Sequence, residues 1–390
     1  MNFLPFEDVF KDESGGNIKT LQAEFLKEGK VPIVDQGKAL IAGFTDDEMR
    51  ICKSELPVII FGDHTRCFKF VDFPFAMGAD GVKVLKPKIK ADEKFLFYYL
   101  KSLRLPDAGY DRHFKYLKRT EILMPPLPEQ KRIAEVLDKA DALREKRRLA
   151  LQKLDTLLQS VFLEMFGDPV KNPKGWKLSK FGDELISLQY GPRFYNQNYS
   201  QDGTRIIRIT DLESNGNLDF DSMPRLEVCK EDIEKYALKT GDIIFARSGA
   251  TVGKTALISE VAPTCIAGAY FLVLRLNNKL HPLYVRTVLS QKTIQQIIVN
   301  QSRQSAQQNF SGPGLRRLPL PIPPLELQES FAIKIQKIWQ IQKTNKGSLN
   351  ITENLFQSLQ QRAFKGELFN DEFTSGQPQE ENVLRQGSLF

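Results

Sequence analysis

Apolar positions along this chain fall into two regimes, and each regime occurs twice. Residues 1–116 hold short β-like runs punctuated by Gly, Pro and Asp, such as Lys30-Val-Pro-Ile-Val34, Leu56-Pro-Val-Ile-Ile-Phe61 and Gly81-Val-Lys-Val-Leu85. Phe95 to Leu103 then predicts a helix with aromatic faces. Pro125-Pro126 closes the region, because proline removes a backbone donor and disfavours helix in the residue before it. From Glu129 to Gly167 neither proline nor glycine interrupts the chain, and apolar residues recur at heptad spacing. Ile133, Ala140, Leu154 and Val161 share one heptad position, with Arg147 as its polar member. Leu143, Ala150 and Leu157 lie three residues after members of that series, and Val136 and Leu137 sit beside it. This predicts a coiled-coil seam about five heptads long.

The second cycle repeats the first. Residues 168–314 are again rich in strands and turns, with Ile206-Ile-Arg-Ile209, Asp242-Ile-Ile-Phe245 and Tyr270-Phe-Leu-Val-Leu274 as strand candidates. A second helix follows, with Phe331, Ile338 and Leu359 at one seam position and Ile335, Ile341 and Leu355 expected to face the same way. Asn345 stands where the first helix has Arg147, and polar residues at such positions fix register and partner choice at some cost in stability. Gly347, Ser348 and Asn350 weaken the middle of this helix. The segments 117–167 and 315–365 align without a gap at an offset of 198 (315 − 117). Pro125, Pro126, Leu127, Gln130 and Ala134 match Pro323, Pro324, Leu325, Gln328 and Ala332, and Phe166 matches Phe364. A period this long marks a duplicated module, not a solenoid. The expected boundaries are a first globular head at 1–116, a helix at 117–167, a second head at 168–314, a second helix at 315–369, and a polar disordered tail at 370–390.

About 38 residues of helix span roughly 57 Å. If the helices pack antiparallel, the heads lie at opposite ends and are related by a pseudo-two-fold axis. Such an object matches duplex DNA read at two separated half-sites. An ordinary coiled-coil hairpin joining two domains has the same pattern.

At 390 residues the chain supports two large cores, and 55 Lys+Arg against 48 Asp+Glu gives a net charge of +7, compatible with a polyanion partner. Cys52, Cys67, Cys229 and Cys265 form no C-x-x-C pair; a zinc site from Cys52, His64 and Cys67 fits no standard spacing, and buried free thiols in a reducing cytosol are expected. With no signal segment and no apolar run near 18 residues, a soluble cytoplasmic protein is expected.

Arg247-Ser-Gly-Ala-Thr-Val-Gly-Lys-Thr255 looks like a phosphate-binding loop but fails its spacing, with three residues between Gly249 and Gly253 where four are needed. A turn presenting Arg247, Ser248, Thr251 and Lys254 to DNA is the alternative. The aligned turn in the first head, after Phe61, carries His64, Thr65 and Arg66 in the same frame. Polar clusters just ahead of each helix add Arg112, His113 and Lys115 in the first half, and Arg303, Gln304, Gln307, Gln308 and Asn309 in the second. Arg pairs bidentately with guanine, and Gln or Asn with adenine. Catalytic signals are missing: Asp92-Glu-Lys94 fits a fragment of a nuclease site, but no methyltransferase motif and no hydrolase triad accompany it. A self-contained nuclease or methyltransferase, and a coiled-coil adaptor with no DNA role, are the competing readings.

With these pieces assembled, the chain resembles the specificity subunits of Type I restriction–modification enzymes. The resemblance rests on Met124-Pro-Pro-Leu-Pro-Glu-Gln-Lys-Arg-Ile133 and its C-terminal copy, and on the Ser248-to-Lys254 turn. It rests also on Tyr190-Gly191 followed by Gly203-Thr-Arg-Ile-Ile-Arg-Ile-Thr-Asp211, near which Arg193 is a further DNA-binding candidate; Val31-Pro-Ile-Val-Asp-Gln-Gly37 resembles a variant of the same stretch. Leu327 stands where the family has Glu. The resemblance implies an α+β chain with two target-recognition domains and an antiparallel coiled coil. It implies a bipartite, asymmetric double-stranded DNA site, two methyltransferase subunits docked around the helices, and restriction/motor subunits for cleavage. No cofactor is expected on this chain; S-adenosylmethionine, ATP and Mg belong to those partners, and the subunit itself is non-catalytic.

Overall fold

The computed structural model describes residues 2–369 apart from 80, 108, 110, 195–197, 214, 215, 260, 261 and 303–307. The expected tail at 370–390 and the candidates Arg303, Gln304 and Gln307 therefore lie outside the described residues. The described residues form two compact units, one within 1–148 and from 347 onward, the other within 149–346. The division cuts both long helices (Leu127–Phe166 and Leu325–Phe364) near their middles rather than at 117, 167 or 315. The reason is packing: each half-helix carries seam residues that merge with the core of a head. Phe162, Phe166, Phe331 and Ile335 join one core, and Ile133, Leu137, Phe356 and Ala363 join the other.

In the first unit an antiparallel sheet runs in the order Phe10–Asp12, Val82–Pro87, Val58–Gly62, Phe68–Val71. A second sheet pairs Val31–Val34 in parallel with Ala76–Gly78 and antiparallel with Gly43–Thr45. The second unit repeats this plan. Leu185–Tyr190, Phe271–Leu276, Ile243–Ala246 and Thr255–Leu257 make one antiparallel sheet, and Thr204–Ile207 pairs in parallel with Cys265–Ala267. A short ribbon leads into each long helix, Phe3–Pro5 with Glu121–Leu123 and Lys177–Lys180 with Pro319–Ile322. The strand expected at 206–209 stops at Ile207, because the Asp211 carboxylate accepts the Arg208 backbone N–H (2.8 Å) and turns the chain into a short 3-10 helix.

The repeated glutamine has the same structural task in both units. Gln130 and Gln328 are buried. The Gln130 side-chain oxygen accepts the N–H of Asp92 (2.9 Å), and its amide nitrogen donates to Pro125 O (2.8 Å). The Gln328 oxygen accepts from His281 N (2.8 Å), and its nitrogen donates to Pro323 O (2.8 Å). Asp92 and His281 are the N-caps of the head helices Glu93–Ser102 and Pro282–Ser290. Each glutamine thus latches a long helix to the head helix beside it, with both ends of its amide satisfied.

The seam differs from its predicted register. Half-helices in each unit run antiparallel. Arg148 near the middle of the first helix bridges Glu353 (2.7 Å), and Arg144 stacks on Phe356 (4.0 Å). In the other unit Gln342 donates to Asp155 (2.7 Å). The series through Ile133, Ala140, Arg147, Leu154 and Val161 does face inward, as does that through Ile338, Asn345 and Leu359. Its companion, however, lies four residues on, not three: Leu137, Arg144, Leu151, Leu158 and Met165 in the first helix, and Ile335, Gln342, Leu349, Phe356 and Ala363 in the second. Leu143 (44% exposed), Leu157 (45%), Ile341 (49%) and Leu355 (46%) therefore face outward. A 3–4 repeat can be closed by a residue on either side of the inner series, and leucines stand on the outer side too. The second helix runs unbroken through Gly347, Ser348 and Asn350.

Candidate nucleic-acid interface

In the second unit the turn between Ile243–Ala246 and Thr255–Leu257 holds only a 3-10 turn at Gly249–Thr251 and passes into a strand where a phosphate-binding loop would open an α-helix. Gly249 (φ +71°) and Gly253 (φ +89°) take the left-handed conformation that lets the backbone reverse twice. The pre-helix cluster folds back onto this turn. Arg247 Nε donates to Asn309 Oδ1 (3.2 Å), Gly249 N donates to Gln308 O (3.0 Å) and Phe310 N to Arg247 O (2.7 Å). Arg247 also stacks over the Tyr190 ring at 4.9 Å, and its backbone N–H donates to Tyr270 O (2.9 Å). Arg247, Ser248, Thr251 and Lys254 are all half-buried, Gln308 is exposed, and Thr251 donates back to Ser248 O (3.3 Å). Two sequence segments some sixty residues apart thereby form one polar surface.

The first unit builds the same juxtaposition from different side chains. Asp63, in the turn after Val58–Gly62, accepts the Phe114 N–H on Oδ1 (2.7 Å), while its carbonyl meets His113 Nδ1 (3.0 Å). Thr65 donates to Gln36 O, and His64 N donates to the Gln36 side chain (3.3 Å). Arg66, at φ 60°, bridges Asp107 (3.2 Å), which holds that carboxyl below its usual range. Lys115 is exposed and pairs with Asp111 (2.7 Å), pulling the Asp111 carboxyl down to about 2, chiefly through that hydrogen bond. Arg112 is exposed.

Several expectations need correction. His113 is fully buried, so it braces the turn from beneath and cannot reach a ligand. Asp92 and Lys94, a fragment of a nuclease pattern in the sequence, have structural tasks in the fold. Asp92 caps the head helix by accepting Phe95 N (2.9 Å), and Lys94 pairs with Asp138 of the long helix. The free thiols are not uniformly buried: Cys52 and Cys265 are, burial pushing the latter up to about 11, but Cys67 is half-buried and Cys229 exposed.

A cavity of about 660 Å³ lies beside the second turn. Arg193, Phe194, Tyr199, Arg208 and Tyr270 are among its lining residues, and Tyr199 (60%) and Tyr270 (57%) are widely exposed. Backbone packs on backbone beside it: a Cβ on Gly191 would lie 2.1 Å from the carbonyl oxygen of Gly268, which lines the cavity. Arg193 was a candidate; the signal for the rest was exposed aromatic residues, which a single sequence does not reveal.

No helix among the described residues is long and apolar enough to cross a membrane. Over 268 residues the chain is 25% identical to the EcoKI specificity subunit of Escherichia coli K12, covering 63% of this chain and 57% of that one. It is 24% identical over 285 residues to the EcoBI specificity subunit of Escherichia coli, covering 65% of this chain and 59% of that one. The matches thus span less than two thirds of those relatives' length. Its fold is similar to the crystal structure of the Type I restriction–modification S subunit from M. genitalium (TM-score 0.60, 15% identity), over 93% of this chain and 95% of that one. The model of the Type I restriction modification DNA specificity domain matches residues 2–153 and 173–359, most of both units, and the chain belongs to that family.

Proposed function

We propose that this chain is the DNA-reading subunit of a Type I restriction–modification complex and is itself non-catalytic. The observation that carries the reading is a shared frame with unshared contacts. Both heads set a hairpin turn against the segment preceding a long helix, yet the side chains offered there are Thr65, Arg66 and Arg112 in one and Arg247, Thr251 and Gln308 in the other. Two readers of one build and different chemistry suit a bipartite, asymmetric double-stranded DNA site.

Two methyltransferase subunits are the proposed partners of the helices. Leu143 corresponds to Ile341 and Leu157 to Leu355 by the 198-residue offset, and all four are exposed. Each unit holds one member of each pair, one on each of its two helix halves, so each unit offers an equivalent apolar flank, as two copies of one partner require. Restriction/motor subunits would join that assembly. S-adenosylmethionine, ATP and Mg would be bound by the partners.

The test is an insertion of four residues after Ala150. Four residues lengthen a helix by about 6 Å, against about 3.4 Å per base pair, so the non-specific spacer should grow by roughly one to two base pairs. Mapping methylated sites genome-wide before and after reads the spacer directly, and an unchanged spacer would rule out the helices as the ruler.

A further inference from the structure

Arg208, which the turns and pre-helix clusters leave out, has its charge held in a fixed orientation beside a cavity. Its guanidinium meets the Asp211 carboxylate edge to edge, Nε to Oδ2 at 3.1 Å and Nη2 to Oδ1 at 2.7 Å. The carboxylate is itself held, accepting the Arg208 backbone N–H, and its side chain is only 4% exposed, whereas that of Arg208 is 40% exposed. One edge of the planar group is thus engaged, and the Tyr199 side chain is a further hydrogen-bond partner. A ligand would take the place of Tyr199 at the remaining edge, where Nη1 and the second N–H of Nη2 have the spacing of a two-acceptor fork. Arg208 lines the 660 Å³ cavity, with the exposed ring of Tyr199 at 5.8 Å from the guanidinium carbon. Tyr270, across the same cavity, is joined to Arg247 through its carbonyl, so the cavity and the turn form one surface.

We propose that Arg208, buttressed by Asp211, is a specificity-determining residue of the second head that reads a guanine in the half-site of that head. The proposal rests on the DNA-reading function given above. Two physical arguments select a base edge over a phosphate. Asp211 offsets the charge of Arg208, which weakens long-range attraction to a phosphate but leaves the directional hydrogen bonds intact. The rings of Phe194, Tyr199 and Tyr270 line the same cavity, with Arg193, and offer flat faces suited to a base. Guanine presents two acceptors, O6 and N7, to the major groove, matching two donors; adenine would set a donor against one of them.

The experiment uses the full chain co-expressed with the methyltransferase subunits of its own genome, with methylated sites mapped genome-wide and binding measured on oligonucleotides over a salt series. Arg208→Ala and Arg208→Lys should each relax one G·C position of one half-site, losing about 10- to 100-fold in discrimination there, with the other half-site and the spacer unchanged. Lysine keeps the charge and stem but not the fork, so it also serves if the alanine variant fails to assemble. Asp211→Asn should loosen the same position by less. For a base contact the slope of log Kd against log salt is unchanged in Arg208→Lys and Arg208→Ala. A uniform loss across sequences with a slope lower by about one in Arg208→Ala would identify a phosphate contact and overturn the proposal, as would an unaltered motif in both variants. If the wild-type complex shows no sequence-selective methylation or binding, the DNA-reading function itself fails and the proposal with it.

Discussion

The two heads differ at the residue that follows an inner strand of the sheet containing a parallel pair. In the first head it is Asp35, directly after Val31–Val34; in the second it is Arg208, directly after Thr204–Ile207. Asp35 faces a lysine from within the fold: Lys69 Nζ reaches Asp35 Oδ1 (3.3 Å) and the Asp35 carbonyl (2.7 Å), and Lys69 is nearly buried, its amine pushed below the usual lysine range by that burial. At the matching position of the second head's sheet stands the buried Ala256, paired with Ile244 as Lys69 is with Ile60. The charge there has moved outward, to Arg208 at the cavity rim. The comparison teaches that the frame is conserved by packing, whereas the polarity at its contact positions is free to invert. A duplicated scaffold can thus serve two different half-sites.

Tests of the shared frame carry the largest expected effects. Leu137→Ala and Ile335→Ala, at fully buried and nearly fully buried seam positions, should each cost about 2–5 kcal/mol in denaturant unfolding, whereas Leu143→Ala and Ile341→Ala should stay within about 0.5 kcal/mol. A reversed ranking would restore the other register. Gln130→Ala and Gln328→Ala should each cost about 2 kcal/mol, since each leaves a helix-cap N–H and a proline carbonyl unpaired; similar losses are required if the latches are equivalent. The comparison breaks if hydrogen exchange finds only one unit loosened.

Tests of the unshared contacts come next. Arg247→Ala should weaken recognition of one half-site about tenfold, read by competition with oligonucleotides altered in one half at a time. Equal loss at both halves would contradict separate readers. The smallest effect concerns pH and only the second head. His281 caps its helix by accepting Leu283 N (3.2 Å) on Nδ1, so it must be neutral there, and burial lowers its pKa. A depressed pKa on a base means that the unfolded chain binds the proton more readily. The contribution is present above about pH 6.5 and is lost as pH falls below it, at a cost of about 1 kcal/mol, the worth of a cap. His281→Asn should flatten that dependence in thermal melts of the second unit. A dependence that survives the substitution would locate the titration elsewhere.

Much of this molecule is legible in its sequence. Short β-like runs, heptad patterns, proline stops and the 198-residue offset are local or self-comparing signals, and from them follow two strand-rich heads, two long helices and a polar inner position at Arg147 and Asn345. The hairpin turns and pre-helix clusters were visible as polar interruptions of apolar runs. Only the tertiary structure decided which of these residues act. Leu143 and Leu157 looked like seam residues because a 3–4 repeat is symmetric in sequence; the partner helix chooses the side. His113 looked like a contact residue, but the Asp63 carbonyl draws it inside. Arg208 sat in a quoted motif without a role, because its orientation depends on a carboxylate three residues on and a cavity assembled from distant strands. Periodicity reports what one segment can bury; which face it buries, and which charge is left to the solvent, depends on what packs against it.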